Sequence, residues 1–113
     1  MISIHQNSYP LAGVCGAQVF YDASSEAGRT AAETFQQTLN DSLGKNRAAK
    51  QEEYYVLQCS PYPSVLVECG FLSNPEEERL LLTAAYREKV AYALYTATVL
   101  YFDKISENIK NNV

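Results

Sequence analysis

The only histidine of the chain, His5, ends Met1-Ile2-Ser3-Ile4-His5, an apolar, β-branched run that reads as a strand. Glu68 follows Val65-Leu66-Val67 directly, at the carboxyl end of a second apolar run. An imidazole and a carboxylate can ligate a metal or carry a proton near neutral pH. In open α/β sheets, ligand sites gather beyond the carboxyl ends of strands. If the two strands run parallel, both groups face one crevice. A carboxylate set against a buried strand is costly unless it finds a metal, a cation or hydrogen-bond donors. The same residues also fit a purely structural role, a hydrogen-bonded strand-end histidine and a glutamate held by backbone N–H groups. Spacing alone leaves both open.

The cysteines add little chemistry. Cys15, Cys59 and Cys69 are odd in number and contain no C-x-x-C pair, so they make no disulfide framework. With His5 they total a Cys₃His set, but zinc sites of that type draw on closely spaced pairs and these are scattered. Small buried side chains are the plainer reading. A Cys–His hydrolase of Cys69 and His5 is disfavoured too. Cys69 follows Glu68 on an extended segment, so their side chains point to opposite faces.

The elements that must position these groups are legible in outline. Gln6 to Gly16 carries Asn7, Ser8, Pro10, Gly13 and Gly16 and reads as a loop. Ala17 to Tyr21 reads as a second strand. Ser24 or Ser25 caps a helix to about Leu43, with a stripe of Ala27, Ala31, Phe35, Leu39 and Leu43 and a terminating Gly44. Lys45 to Glu53 is polar, a surface loop or short helical turn. Tyr54 to Gln58 reads as a third strand and Ser64 to Val67 as a fourth, apolar on both faces and so central to a covered sheet. Asn74-Pro75-Glu76-Glu77 is a helix start, with Asn74 as cap and Glu77 reaching back in a capping box. That helix ends near Leu82. A last helix spans about Ala84 to Ile105, with Tyr86 and Tyr101 on its core stripe, and Glu107 to Val113 reads as a frayed tail. Strands mixed with long helices predict a three-layer α/β/α domain.

Three segments carry a more specific signal: Ser3-Ile4-His5-Gln6-Asn7-Ser8, Gly16-Ala17-Gln18-Val19-Phe20-Tyr21, and Val65-Leu66-Val67-Glu68-Cys69-Gly70-Phe71-Leu72-Ser73-Asn74-Pro75-Glu76-Glu77. In this order they closely resemble the zinc-dependent N-acetylmuramoyl-L-alanine amidases, bacterial cell-wall hydrolases of autolysin and spore-cortex type. Asn46-Arg47 through Lys50 to Tyr55-Val56-Leu57 fits the same pattern, and the likeness runs from Ile2 to about Phe102. The resemblance implies a mostly parallel twisted sheet and a catalytic Zn²⁺ held by two His and one Glu. It assigns the last metal ligand to His5 and the catalytic acid/base to Glu68. Asn7, two residues past the ligand, is a candidate for lining the substrate cleft. The bond cut, by the same resemblance, joins N-acetylmuramic acid to L-alanine of the stem peptide.

Two of the family's metal ligands lie upstream of the Ser-Ile-His strand, and this chain has no second histidine. A catalytic zinc needs about three protein ligands. Residues 1–113 therefore read as a single partial catalytic domain without the family's N-terminal strands, inactive and a weak zinc binder on its own. An uncovered sheet edge predicts self-association through sheet or helix surface. The alternative is a non-catalytic peptidoglycan-binding or interaction module on the same fold.

Composition limits the other classes. Across 113 residues, 47% hydrophobic and 19% charged, the chain can bury a core. Nine Lys+Arg against thirteen Asp+Glu leave a net charge of −4, which argues against nucleic acid and against a polybasic membrane contact. No run of residues is long and apolar enough to span a bilayer. The family acts outside the membrane, at the cell wall, although no signal-peptide pattern opens this sequence.

Overall fold

The computed structural model describes residues 1–112. In chain order its elements are β1 (Ile2–Asn7), β2 (Gln18–Tyr21), α1 (Glu26–Leu43), β3 (Lys50–Gln51), α2 (Tyr55–Gln58), β4 (Val65–Phe71), α3 (Pro75–Leu81) and α4 (Ala84–Asn111). The four strands form one sheet in the order β1-β4-β2-β3. β1 pairs parallel with β4 and β2 parallel with β3, whereas β2 runs antiparallel to β4. The α/β expectation holds, with a mixed sheet in which two of the three strand pairs are parallel.

β4 takes the centre because its apolar residues suit burial on both faces. Val65, Val67 and Cys69 enter the main core with Val19 and Tyr21 of β2, Phe35 and Leu39 of α1, and Val90, Ala97 and Tyr101 of α4. Both long helices thus lie on one face of the sheet. On the other, Leu66 and Phe20 meet Leu57 and Val56 of α2. The helical cover on that face is this single turn, and Tyr9, Leu11 and Val14 of the loop before β2 line a cleft there with Gln18 and Phe20.

The helix ends follow local chemistry. The Ser25 hydroxyl accepts from the Gly28 N–H at 2.9 Å and caps α1. Gly44 ends it at φ 72°, a left-handed conformation that glycine adopts without a Cβ clash, and donates to the Asn40 carbonyl. The buried α1 face is centred on Gly28, Ala31, Ala32, Phe35 and Leu39, while Ala27 points to solvent. Asn74 Oδ1 caps α3 by accepting from Glu77 N–H at 3.1 Å, with Pro75 at the first helical position. Thr83 caps α4.

Several expectations are corrected. Tyr54 to Gln58 is not a strand: Tyr54 caps the one-turn helix α2, and Tyr55 is 83% exposed. The strand lies a few residues earlier, at Lys50–Gln51, in the segment read as polar loop. It is a two-residue edge element with no apolar face, so it leaves no periodicity. β1 runs on to Asn7 and β4 to Phe71, so Glu68 sits within its strand rather than after it. Glu77 does not complete a capping box. Its buried carboxylate instead accepts from Gly16 N–H with both oxygens (2.9 and 3.0 Å) and from Phe71 N–H (3.0 Å), tying the loop before β2 to the end of β4. α4 continues to Asn111 instead of fraying from Glu107.

The outer margin of β2 has a partner that is not a strand. Gln36 of α1 lays its amide along it, accepting from Val19 N–H at 2.8 Å and donating to the Ala17 carbonyl at 3.0 Å. One side-chain amide thereby meets a donor and an acceptor that β3 is too short to reach.

Candidate active site

Register brings the candidate residues together. His5 is the Cα partner of Glu68 across the β1–β4 pair, and Glu68 that of Gln18 across β4–β2. Paired residues share a face, so His5, Glu68 and Gln18 form one row on the face opposite the long helices. The next row is Ser3, Leu66, Phe20 and Lys50. Cys69, one residue on, is buried in the main core on the other face.

Glu68 is half-buried, and its Oε2 is fully buried with no hydrogen-bond partner among the described residues. Burial pushes its carboxyl above the usual carboxylate range, while the neighbouring His5 pulls it back. His5 is exposed and shares a 2.6 Å hydrogen bond between its Nε2 and the Ser3 hydroxyl. A buried carboxylate oxygen without a donor costs stability, on the order of 1–3 kcal/mol. Tyr54 edges against the Phe20 ring at 5.5 Å, and burial together with the Glu52 and Glu68 carboxylates pushes its phenol up.

Asn7 stands where the β1–β4 register shifts, opposite Phe71. Its side chain accepts from the Ser8 N–H at 2.8 Å, and it also lines an open cleft of ≈ 380 Å³. The same cleft is lined by Gln18, Phe20, Arg47, Lys50 and Phe71. Arg47 is fixed there: its Nε donates to Gln18 Oε1 at 3.0 Å, its Nη1 to the Cys15 carbonyl at 2.7 Å, and its guanidinium lies 5.2 Å from the centre of the Phe71 ring. Sequence reasoning did not single out Gln18, Lys50, Arg47 or Tyr54 as site residues. Asn46-Arg47 stood out only as part of the resemblance, and Tyr54 was placed on a strand.

The zinc implied by the resemblance can be tested against the donors present. Among the described residues no group of three His, Cys, Asp or Glu side chains could hold a metal ion. His5 offers one imidazole, and Glu68 cannot both ligate and carry a proton. The residues of this chain do not by themselves fit a catalytic zinc.

Comparison with known proteins places the chain. Residues 1–99 match the N-acetylmuramoyl-L-alanine amidase family model. The germination-specific N-acetylmuramoyl-L-alanine amidase of Bacillus subtilis is 38% identical over 103 residues, covering 89% of this chain and 44% of that protein. LytC, an N-acetylmuramoyl-L-alanine amidase of the same organism, is 35% identical over 104 residues, covering 89% of this chain and 21% of that protein. Among solved structures, the CwlD amidase of Clostridioides difficile, in complex with the GerS lipoprotein, superimposes with a TM-score of 0.87 at 35% identity. That superposition covers 90% of this chain and 53% of CwlD. The chain thus spans less than half the length of these curated relatives and about half of the solved one. With a family match over most of its length and the fold to go with it, the chain belongs to the N-acetylmuramoyl-L-alanine amidase family.

Proposed function

We propose that this chain supplies the acid/base half of a peptidoglycan amidase site, acting on the amide between N-acetylmuramic acid and L-alanine of the stem peptide. The observation that carries the reading is the pairing of His5 with Glu68, whose inner oxygen is buried and unpartnered. A carboxyl group raised by burial and steadied by an imidazole suits proton transfer. In this reading Glu68 takes a proton from the attacking water and returns it to the departing amine as the carbon–nitrogen bond breaks. His5 serves as one metal ligand, and Asn7 contacts substrate in the cleft. The family's zinc needs ligands from outside these residues, so the chain alone is inactive and binds zinc weakly.

The site of action is the cell wall or the space outside the membrane, as the name of one relative, the probable cell wall amidase LytH of Staphylococcus epidermidis, suggests. No described helix is long and apolar enough to cross a membrane. The chain alone self-associates, because β1 ends the sheet with Ile2 40% and Ile4 60% exposed.

The test supplies the other ligands in trans. The 113-residue chain is mixed with the N-terminal part of a related amidase domain carrying the upstream His and Glu, with zinc. Turnover of muropeptide that appears only in the mixture and is lost in Glu68→Gln supports the reading. Turnover that survives Glu68→Gln refutes it.

The absence of a three-donor set among the described residues also favours a second reading, a non-catalytic peptidoglycan-binding module. Retention on peptidoglycan by both the native chain and Glu68→Gln, with no turnover in any mixture, supports that alternative.

A further inference from the structure

The cleft beside Glu68 carries positive charge that the protein does not neutralise. Arg47 and Lys50 both line it, in a chain whose net charge is −4. Among the described residues the ion pairs are Arg29–Glu33 and Arg79–Glu76, and neither cation of the cleft takes part in one. Lys50 occupies the row of Phe20, on the catalytic face. Arg47 is immobilised by Gln18, the Cys15 carbonyl and the Phe71 ring, which leaves its Nη2 without a protein acceptor among the described residues. Gln18 connects the two regions, since it is the strand partner of Glu68 and it holds the Arg47 guanidinium.

A guanidinium fixed in advance loses little side-chain freedom when it takes a ligand, and its Nη2 can donate a charge-assisted hydrogen bond to a carboxylate. The flexible ammonium of Lys50 adds a second donor from the adjoining strand.

We propose that Arg47 and Lys50 recognise a free carboxylate on the peptide side of the scissile amide, the α-carboxylate of the γ-linked D-glutamate that follows L-alanine. This rests on the amidase reading above and deepens it, because the cleft adjoins Glu68 and the departing group is an acidic peptide. Stems in which that carboxyl is amidated are then poorer ligands.

The test is a binding measurement on the 113-residue chain by calorimetry. The probes are two muropeptides, N-acetylmuramoyl-L-Ala-γ-D-Glu-L-Lys with the glutamate α-carboxyl free, and the same compound with it amidated. The expected result is roughly tenfold tighter binding of the free acid. That preference weakens with added salt and disappears in both Arg47→Gln and Lys50→Gln. Lys50 is exposed and makes no side-chain hydrogen bond among the described residues, so Lys50→Gln keeps the fold and guards against misfolding in Arg47→Gln. Equal affinity for the two probes, or a preference that survives Lys50→Gln, overturns the carboxylate site and leaves the amidase reading standing. Binding of neither probe also overturns the carboxylate site, while the amidase reading stands or falls separately on Glu68-dependent turnover in the mixture.

Discussion

His5 and Glu68 are direct neighbours across the parallel pair β1–β4. That relationship joins an imidazole to a carboxylate without supplying a third donor. The purified chain is therefore expected to show no stoichiometric zinc by equilibrium dialysis at micromolar metal, and no release of stem peptide from muropeptide. Tight one-to-one zinc in this chain contradicts the assignment of His5 as one ligand among several from elsewhere.

Glu77 is a structural carboxylate placed to shape the site from behind. It satisfies the N–H groups of Gly16 and Phe71. Glu77→Ala leaves both donors buried and unpaired, with an expected loss of about 2–4 kcal/mol in urea unfolding. Glu77→Gln retains one acceptor oxygen and costs less. A loss under about 1 kcal/mol for Glu77→Ala means that water replaces the carboxylate and that the tie is not structural.

Asp22, directly after β2, gives the fold an acid sensitivity. Its carboxylate accepts from the Ser24 hydroxyl, from Gln58 Nε2 at 3.1 Å and from the Ser24 N–H at 3.1 Å. The Ser24 hydroxyl first, then Gln58 and the Ser24 N–H, hold its carboxyl below the usual carboxylate range. A folded-state value below the unfolded one stabilises the protein above the unfolded pKa, and that contribution is lost as pH falls through the folded value. Asp22→Asn should lower the melting temperature at pH 7, and the gap should close below about pH 4. A gap that is independent of pH refutes the charge-based account.

The Cys59 and Cys69 thiols should separate by reactivity. Burial, with Glu68 alongside, pushes the Cys69 thiol up to about 11, whereas Cys59 is exposed. Iodoacetamide at pH 8 should label Cys59 within minutes and leave Cys69 unmodified until the chain is unfolded. Rapid labelling of native Cys69 shows that the core on that face opens.

Much of this arrangement was readable beforehand, and the rest was lost for definable reasons. α1 announced itself because a serine cap, a Gly44 stop and an apolar stripe all agreed, and α3 because Asn74-Pro75 marks a helix start. His5 and Glu68 were visible because an ionisable group beside a β-branched run stands out. β3 was invisible because two exposed polar residues carry no pattern, and Tyr54-Tyr55-Val56-Leu57 mimicked a strand because β-branched and aromatic residues can also close one helical turn. Glu77 was read through a local motif, but its carboxylate bonds to Gly16, distant in sequence, which no window around Asn74 contains. Arg47 was hidden for the same reason, since its partners are Cys15, Gln18 and Phe71.

The exposed β1 margin leads to a hydrodynamic expectation. Sedimentation at tens of micromolar should show a dimer, and a charged substitution such as Ile4→Lys should return it to monomer. A monodisperse native monomer removes the case for edge pairing.

The amide of Gln36 gives that association a limit. By occupying Val19 and Ala17 it seals most of the rim on the far side of the sheet, where β3 adds only two residues. Accretion can then start from one rim alone. Two copies that meet along it consume both docking seams, and no template is left for a third. Association through that rim is then expected to stop at a closed stoichiometry and not to run on into fibres.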